Sequence, residues 1–563
     1  MSERLLFSCA TKQTHISLLS NRQNEMSSSS DEESSEIGIV TTDEGDFDEK
    51  DDIDSSSSPS SSEEEEEEFN SYSFIVKAPG RLCLFGEHQD YLGFPVIAMP
   101  IPLYCQIQVD VEFGGSSSNP SNATATTKGN TNGDGEKADD KADDDEADTA
   151  NKRQKMLERR KRIIRLDVPQ LQQTKIYDID DLPPRQDRSS LETGPDFALS
   201  SIHEILDEGW VFPKSLHVTC TSTSEIIMQA GCSSSTAFIT AFMLVLSKVT
   251  GNDSKLTSDP LYLAQLAHRA EVTHFSAPGG TMDHVTIAIG NGCTSDGDTD
   301  DNTDDVRDGG GGARGPLRIG PGQWDVQHLP SLPHGSDDDM GVFVLADSGE
   351  PKDTMKHLHR CKNDRLHLFE DKLDGNWDNG EKILKQDKEN NHDDENQKLL
   401  TDDERILLES TLINRRTEIQ AAEIWNSITT TKKKKDDGPT STITSGSSQK
   451  IGHKLGQLMN EHHEALRDGL QLSTKRLEDM NVAATNAGAW GYKLVGSGGG
   501  GCAVAWVPST SSSKEEEADG DGKETINIAN DVASAMRKAG ATNTWIITKI
   551  CRGAHILYNS DTK

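Results

Sequence analysis

The acidic residues of this chain are distributed very unevenly, and that limits how much of it can fold. Residues 31–68 hold eighteen aspartates and glutamates against the single Lys50, and they end in the run Glu63–Glu68. A segment with so much like charge and so few apolar side chains cannot bury enough surface to fold. We therefore expect residues 1–71 to form a disordered acidic N-terminal tail.

Low-complexity segments interrupt the rest of the chain. They lie near 114–158, 294–316, 370–398, 428–449 and 509–524. Together with the tail they take up about 206 of the 563 residues, which leaves about 357 for two well-buried subdomains. Because the segments between them are strongly patterned, we interpret them as surface insertions, disordered at 114–158 and 294–316. The predicted subdomains cover 72–335 and 336–563.

Composition argues against several classes of protein. The net charge of -38 disfavours a basic nucleic-acid binder, and no apolar run approaches the length of a membrane span. The nine cysteines are scattered without CxxC pairs, which fits free thiols better than disulfides or a zinc module. We expect a cytoplasmic monomer. The acid-poor first thirty residues leave an organellar transit peptide open. We interpret the basic cluster at 152–162 as a solvated stretch that pairs with the acids before it; the alternative is a nuclear signal.

Hydrophobic patterning predicts an α+β fold. Strands are expected at Ser73–Val76 and Leu82–Phe85, joined by a turn at Pro79-Gly80. The segment Thr236–Val249 is almost wholly apolar and therefore predicts a buried helix that ends at Gly251. Further strands are expected at Val96–Ile107 (a pair), Ser215–Ser222, Val342–Ala346, Cys502–Val507 and Trp545–Ile550. Further helices are expected at Leu261–His274, Leu455–Asp468, Lys475–Ala487 and Ile526–Ala539.

A loop of small residues opens the predicted buried helix. It reads Ala230-Gly231-Cys232-Ser233-Ser234-Ser235-Thr236. Unpaired backbone N–H groups and the positive end of the helix dipole make such a loop a site for anions, and its hydroxyls can add a magnesium ligand. The alternative is an ordinary serine N-cap.

A glycine-rich loop lies between two apolar segments near the end of the chain. It reads Gly496-Ser497-Gly498-Gly499-Gly500-Gly501 and leads into the strand that begins at Cys502. Glycines let the backbone approach a ligand closely, whereas the alternative is a flexible linker. The loop lacks the Lys-Ser/Thr of a P-loop, so Walker-type ATP binding is not indicated.

A cluster of polar side chains flanks the first predicted strands. Within the segment Ala78–Tyr91, a buried strand is surrounded by Arg81, Glu87, His88 and Asp90. Acids grouped with a histidine suit a polyol substrate, although a lone Glu-His pair is more often structural.

Taken in chain order, the three segments resemble the signature motifs of the GHMP sugar and metabolite kinases. The segment Gly80–Tyr91 is most similar to the galactokinase signature. A fourth piece agrees: Ala270-Glu271 followed by Gly280-Thr281-Met282-Asp283-His284 is similar to another stretch of that family. The resemblance spans about 72–558 apart from the insertions. It implies two α+β subdomains, an N-terminal half like ribosomal S5 domain 2 and a ferredoxin-like C-terminal half, with the site between them.

The resemblance also implies an activity, transfer of the ATP γ-phosphoryl group to a sugar hydroxyl with Mg²⁺. Asp283 would be the base, and Arg81 would hold it ionised. Glu271 and Ser235 would bind Mg²⁺. The ATP phosphates would contact Gly231, Cys232, Ser233, Ser234, Ser235, Gly498, Gly499 and Gly500. The sugar would contact Glu87, His88, Asp90 and Gly280. From the residues alone, Glu271 could equally be a solvated residue and Asp283 a helix cap.

Departures from the galactokinase pattern leave the substrate open. Cys83 and Leu92 stand where asparagines are usual, the phosphate loop lacks its proline and an extra glycine, and His284 replaces a glutamine. Leu84–His88 is also similar to mevalonate kinases, which lack the acid of Asp90. We expect galactose first; the alternatives are a uronic acid, another aldose, mevalonate, or a non-catalytic sugar sensor.

Two histidine-rich spots invite a metal interpretation. They are His462-His463 and the trio His357, His359 and Cys361. We expect solvated helix faces at both.

Overall fold

Two β-sheets organise the part of the chain that the structure describes. This computed structural model describes residues 69–114, 161–277, 279–290, 314–320, 324–330, 341–351, 357, 359–389, 399–433, 446–508 and 528–558. Most of the predicted tail and of the predicted insertions at 114–158, 294–316 and 509–524 lies outside these ranges.

Twelve strands are found in the described ranges. They are β1 (Phe69–Phe85), β2 (Val96–Gly114), β3 (Arg162–Val168), β4 (Gln173–Asp178), β5 (Leu216–Ser224), β6 (Arg314–Ile319), β7 (Val326–Pro330), β8 (Val342–Asp347), β9 (Gly491–Leu494), β10 (Cys502–Val507), β11 (Asn543–Ile547) and β12 (His555–Tyr558). The first sheet has the order β12-β1-β2-β5-β3-β4, with β6 on β2 and β7 on β6. The second sheet is antiparallel, in the order β11-β8-β10-β9.

The predicted turn at Pro79-Gly80 is wrong, because β1 runs through it. Pro79 pairs with Tyr104 whereas Gly80 pairs with Ile101, so the register shifts at this point within one continuous strand. A bulge tolerates a proline that cannot donate to the ladder. Gly80 also lets the phosphate loop approach, since a Cβ there would lie 3.1 Å from the carbonyl oxygen of Cys232. The predicted strand pair Val96–Ile107 is likewise the single strand β2.

Twelve α-helices connect and cover the strands of the described ranges. They are α1 (Ser190–Thr193), α2 (Phe197–Asp207), α3 (Ser234–Val249), α4 (Asp253–Ser258), α5 (Pro260–His268), α6 (Met282–Ile289), α7 (Arg365–Asp371), α8 (Gly380–Glu389), α9 (Asp402–Lys433), α10 (Gly446–Glu464), α11 (Lys475–Asn486) and α12 (Ile528–Lys538). Short 3-10 or π-helical turns add Asp90–Leu92, Pro169–Leu171, Arg269–Thr273, His359–Asp364, Trp377–Asn379 and Ala465–Gly469. The α+β prediction is confirmed.

Two parts of the helical structure differ from expectation. The predicted insertion 370–398 contains α8, and the 32-residue helix α9 has no counterpart among the expected elements. Four polar residues on α9 are almost fully buried: Thr411, Asn414, Thr417 and Glu418. Because the buried face of α9 is partly polar, its sequence lacks the regular spacing of apolar residues that predicts an amphipathic helix.

The buried helix α3 is the centre of the first core, as predicted. It packs against β1, β2, α2, α5 and α6, and twelve of its sixteen residues are buried. Helices α11 and α12 pack on the second sheet. A backbone hydrogen bond of 2.8 Å, from the Cys502 N–H to the Ala230 carbonyl, joins the start of β10 to the loop before α3. The loop that opens α3 therefore lies where the two sheets meet.

The expectation of a solvated helix face is wrong for His462-His463, whereas in the second spot His359 is exposed and Cys361 is buried. His462 and His463 are 0% and 1% exposed. The His462 ring stacks on Phe85, and His463 Nε2 lies 2.9 Å from Glu478 Oε1. Among the described residues, no group of three or more His, Cys, Asp or Glu side chains is arranged to hold a metal ion. None of the described helices has the length and apolarity to cross a membrane.

Candidate active site

A cavity of about 690 Å³ opens beside the start of α3. One part of its wall is apolar, with Leu166, Val168, Met228 and Phe238. The polar lining residues include Gly231 and Ser233–Ser235 of the loop, Arg81 and Asp283, as well as Lys175 and Asp196. A cavity that combines apolar side chains with a helix N-terminus suits a ligand that combines a flat ring with phosphates.

Ser233 turns the loop into the helix. Its φ of +61° lies in the left-handed region, and Ser234 begins α3 immediately after it. This conformation brings the Ser233 Oγ to the carboxylate of Asp283, to which it donates a hydrogen bond of 2.5 Å. The predicted anion loop and the predicted base are therefore in direct contact.

Arg81 and Asp283 form a bidentate ion pair in the wall of the cavity. Arg81 donates from Nε to Oδ1 at 2.6 Å and from Nη2 to Oδ2 at 3.0 Å, and from Nη1 to the Gly231 carbonyl. Burial alone would raise the pKa of Asp283, but the charge and hydrogen bonds of Arg81 outweigh it and lower the pKa below its ordinary value. Asp283 is therefore held ionised. It lies in the first turn of α6, where Thr281 and not Asp283 is the N-cap.

Glu271 faces the helix start and not the solvent. It accepts hydrogen bonds of 2.7 Å from the hydroxyls of Ser235 and Thr236, and His284 Nε2 lies 2.9 Å from its Oε2. It sits in the π-helical turn that follows α5. A carboxylate and a hydroxyl next to a phosphate loop are oxygen donors of the kind that Mg²⁺ prefers, with phosphate and water completing its shell. The donor set of Glu271 and Ser235 thus fits the ion.

Asp90 and Gly280 lie against one another. A Cβ on Gly280 would fall 1.8 Å from Asp90 Oδ2, so only glycine allows this approach. Asp90 also accepts a hydrogen bond of 3.3 Å from the Met282 N–H. Burial and the nearby charge of Asp283 raise the pKa of Asp90. The two residues expected to share a substrate are thus neighbours of the proposed base.

Glu87 is held by protein groups on both carboxylate oxygens. Lys493 Nζ lies 2.6 Å from Oε2, and the Gly496 N–H donates to Oε1 at 2.7 Å. Burial would raise the pKa of Glu87, but Lys493 and Arg81 lower it. Lys493 also donates to the Cys83 carbonyl at 2.8 Å, and Asn414 donates to the Glu87 carbonyl at 2.9 Å. The predicted contact of Glu87 with sugar stays a prediction; the structure gives it a partner that motif analysis missed.

His88 bridges the first motif and the glycine-rich loop. Its Nε2 lies 3.2 Å from the Gly496 carbonyl and its Nδ1 lies 3.1 Å from the Tyr91 hydroxyl. Because a carbonyl only accepts, Nε2 carries a proton. The wholly buried Arg365 donates to the His88 carbonyl. No motif indicated Arg365 or Lys493; a lysine in the otherwise apolar strand β9 was the one available signal.

The glycine-rich loop contributes its first two residues to the cavity wall. Gly496 and Ser497 line it, whereas Gly498, Gly499 and Gly500 are outside the lining. Cβ atoms on those three would meet Leu472, His357 and the Glu350 carbonyl at 2.2 to 2.7 Å. Close packing of chain segments thus accounts for these glycines, and their predicted contact with ATP stays a prediction.

Comparison with protein families gives three matches in chain order. Residues 66–110 match the galactokinase galactose-binding signature. Residues 198–291 match the N-terminal domain of GHMP kinases, and residues 452–520 match the GHMP kinase C-terminal domain. The three matches include the first strand pair, the cavity loop with Asp283, and the glycine-rich loop.

The matches to individual relatives cover short stretches of this chain. The chain is 41% identical to a mevalonate kinase of Pyrococcus abyssi over 99 residues, 18% of this chain and 23% of that protein. It is 31% identical to a galactokinase of Mycobacterium bovis over 87 residues, 16% of this chain and 19% of that protein. The chain thus aligns with a quarter or less of the length of these two curated relatives.

One solved structure shares the fold over most of its length. It is a Lactococcus lactis galactokinase in complex with galactose, with a TM-score of 0.50 and 16% identity. The match covers 86% of this chain and 95% of that one. At this identity the likeness shows the fold alone.

Proposed function

Because the chain belongs to the GHMP kinase family, we propose that it transfers the γ-phosphoryl group of ATP to a hydroxyl of a monosaccharide. One observation carries the proposal: a partly exposed carboxylate in the cavity wall, Asp283, is held ionised by Arg81 and touches the anion loop through Ser233. In a phosphotransferase, an ionised acid beside the phosphate loop can orient the acceptor hydroxyl and take its proton.

The roles of the other residues follow from their positions. The loop Gly231–Ser235 binds the phosphates through its backbone N–H groups, and the apolar wall with Phe238 and Met228 receives the base of the nucleotide. Arg81 stabilises negative charge as it develops near Asp283. Glu271 and Ser235 hold Mg²⁺, which supplies charge neutralisation at the phosphates when it is bound.

On the acceptor side, we assign Asp90, Gly280 and His88 to the hydroxyl groups of the acceptor, since Asp90 and Gly280 lie against one another next to Asp283. Galactose is the first acceptor to test, because the galactokinase signature covers Asp90 and its neighbours. Mevalonate is the second candidate, favoured by the stretch of 99 residues shared with a mevalonate kinase. An acid that binds acceptor hydroxyls discriminates against an acceptor with fewer of them, and mevalonate offers fewer hydroxyls than a hexose, so Asp90 favours a sugar. The monomeric state and cytoplasmic location stay predictions.

An ATP-consumption assay tests the proposal. Purified protein with Mg²⁺ is given galactose, other aldoses, uronates, N-acetylhexosamines or mevalonate, beside the variant Asp283→Asn. The surface variant Asp531→Asn on α12 is the matched control. Turnover of a sugar that is lost in Asp283→Asn and kept in Asp531→Asn supports the proposal. Turnover of mevalonate alone contradicts the choice of a sugar, and binding of ATP or sugar without turnover favours a sensor.

A further inference from the structure

A buried arginine reaches the first motif from α7, a helix that has no counterpart among the expected elements. Arg365 opens α7 and is 0% exposed. Its Nε donates to the Cys361 carbonyl at 2.5 Å, and its Nη2 donates to the His88 carbonyl. The same Nη2 lies 3.3 Å from the Tyr91 hydroxyl, and the guanidinium carbon is 5.9 Å from the centroid of the Tyr91 ring. Arg365 therefore contacts the chain on both sides of Asp90.

Among the described residues, no acid balances the charge of Arg365. No carboxylate of the described ranges forms an ion pair with its guanidinium, and its buried Nη1 has no hydrogen-bond partner there. Taking a cation out of water without an acid is costly, and a buried N–H without a partner adds to that cost. Stability alone therefore does not account for this arginine, whereas the carbonyl and the hydroxyl that it binds belong to the first motif.

The segment that Arg365 holds, residues 87–93, is a tight turn that we call the acceptor turn. His88 has a φ of +61°, in the left-handed region that residues other than glycine rarely adopt. The Gly93 N–H closes the turn on the Asp90 carbonyl at 3.0 Å. A residue in such a conformation persists only where its surroundings hold it. Arg365 supplies that hold at the His88 carbonyl, two residues before the acid that lies against Gly280.

A second buried side chain holds the neighbouring carbonyl from α9. Asn414 is 1% exposed, and its Nδ2 donates to the Glu87 carbonyl at 2.9 Å. The successive carbonyls of Glu87 and His88 are thus bound by side chains 327 and 277 positions further along the chain. Apolar packing joins the same parts, since Leu368 of α7 lies in one buried cluster with Phe94, which follows the acceptor turn.

We infer that Arg365 is a positioning residue for the acceptor: it holds the acceptor turn, and with it the Asp90 carboxylate, in the geometry that binds the acceptor. The inference rests on the proposed function. A turn that is ordered before the acceptor arrives removes the cost of ordering it on binding. Neither Arg365 nor the groups to which it donates line the cavity beside α3, so its loss should act on the acceptor and spare ATP.

The test separates the acceptor from the nucleotide in the full chain. Steady-state kinetics with ATP and Mg²⁺ are measured for galactose and for mevalonate, and galactose binding is measured by calorimetry. The variants are Arg365→Lys, which keeps the charge but loses the fork of donors, and Tyr91→Phe, which keeps the ring and removes the hydroxyl. Because Tyr91→Phe leaves the buried guanidinium in place, it tests the same link if Arg365→Lys does not fold.

Arg360→Lys is the matched control. Arg360 belongs to the turn His359–Asp364 that precedes α7. It donates to the Asp403 carboxylate with two nitrogens at 2.8 Å and to the Gly469 carbonyl at 2.8 Å, and none of these groups belongs to the acceptor turn. The control thus removes an arginine fork of the same neighbourhood without touching the acceptor turn.

In Arg365→Lys we expect the KM for galactose to rise by about 10- to 100-fold, since hydrogen bonds from a charged group are lost. The KM for ATP should change by less than about 2-fold. Tyr91→Phe should raise the KM for galactose by about 3- to 10-fold, because a single hydroxyl is removed. Arg360→Lys should leave both KM values unchanged.

Hydrogen exchange followed by mass spectrometry gives a readout that needs no turnover. In the acceptor turn, the N–H groups of Leu92 and Gly93 donate at 3.0 Å to the carbonyls of Gln89 and Asp90. In Arg365→Lys these amides should exchange at least about 10-fold faster, because local opening of the turn becomes easier. The amides of the buried helix α3 should exchange as in the wild type, which shows that the fold is intact.

Several results would overturn the inference. They are equal rises in the KM for galactose and for ATP, a native KM for galactose in both variants, and loss of protection in α3 together with the acceptor turn. Failure of the proposed function looks different, because the wild type then phosphorylates neither galactose nor mevalonate. In that case the inference stands if galactose binding weakens and the acceptor turn exchanges faster in Arg365→Lys, and it falls if either is unchanged.

Discussion

Arg81–Asp283 and Lys493–Glu87 are ion pairs of equal length, 2.6 Å, and both reach the first motif, yet their surroundings differ. Asp283 is 27% exposed and lies on the wall of the cavity. Glu87 is 2% exposed, with both oxygens bound by the protein. One carboxylate thus retains access to a ligand, whereas the other is fully used where β1 meets the second sheet.

The comparison shows that similar charges serve different purposes according to what else their atoms can reach. A buried pair whose partners are all protein groups holds elements together, and its removal is felt in stability. An ion pair in a cavity wall keeps a carboxylate ionised where a ligand can reach it, and its removal lowers the catalytic rate. Variants of Lys493–Glu87 should therefore mainly lose stability, and variants of Arg81–Asp283 should mainly lose activity.

The largest effect is expected for Asp283→Asn. This variant should lower kcat by about 10³- to 10⁴-fold, because an amide cannot take the proton of the acceptor. Its unfolding free energy should fall by about 1–2 kcal/mol, less than in Lys493→Met, since Asp283 is partly exposed and the buried Arg81 keeps hydrogen bonds to the amide oxygen and to the Gly231 carbonyl. Kinetics and denaturant unfolding measured on the same preparation check this; a large loss of stability would erase the contrast between the pairs.

Lys493→Met should show the opposite pattern. It leaves the Glu87 carboxylate buried without its cation and should lower the unfolding free energy by about 3–5 kcal/mol. Lys475→Met, which removes an exposed i,i+4 partner of Asp479, is the control and should have little effect. The double variant with Glu87→Gln should recover part of the loss, because removing both charges costs less than removing one.

The stability due to the Lys493–Glu87 pair should depend on pH. The folded state lowers the pKa of Glu87 below its ordinary value of 4.5, so the stabilisation is fully present above pH 4.5 and is lost as the pH falls through the folded-state pKa. The stability difference between wild type and Lys493→Met should accordingly shrink on acidification below pH 4.5. Urea unfolding between pH 3 and pH 7 measures it; a constant difference would mean that Glu87 is not the group that matters.

Asp90→Asn should lower the kcat/KM for the acceptor while raising the stability of the fold. Because burial and Asp283 raise the pKa of Asp90, its ionised form is disfavoured in the folded state, and the penalty is absent below pH 3.8. The variant should therefore be more stable than wild type at pH 7, with the gain fading on acidification. Acceptor kcat/KM should fall by about 10- to 100-fold. Thermal unfolding at pH 7 and below pH 3.8 tests the effect on stability. Steady-state kinetics test the effect on the acceptor.

The smallest effect is expected at Ser233. Ser233→Ala removes one hydrogen bond to Asp283 and should lower kcat by about 3- to 10-fold, equivalent to about 1 kcal/mol. Ser233→Gly, which also removes the hydroxyl but relaxes the backbone at φ +61°, is the matched control. Equal loss in both assigns the effect to the hydroxyl, whereas loss in Ser233→Ala alone assigns it to the backbone.

Sequence reasoning identified what is local in this molecule. The loop before α3, the buried helix and the residues around Asp283 follow from short spacings, and the structure brings them together. It could not find Lys493 or Arg365, because their partners lie hundreds of positions away and no spacing links them. The predicted turn at Pro79-Gly80 is wrong because local turn propensity takes no account of β2, the long partner strand that keeps β1 continuous.

The pairing of β12 with β1 has a consequence for biosynthesis. Phe74–Lys77 find their partners in His555–Tyr558, and Ala554 donates a further backbone bond to Ile287. At about 5–20 residues per second, β1 waits on the order of half a minute or more on the ribosome before that edge can be closed. An open edge strand invites pairing with other chains. The acidic segment 31–68 leaves the ribosome just ahead of β1, and its concentrated negative charge opposes such encounters during this interval.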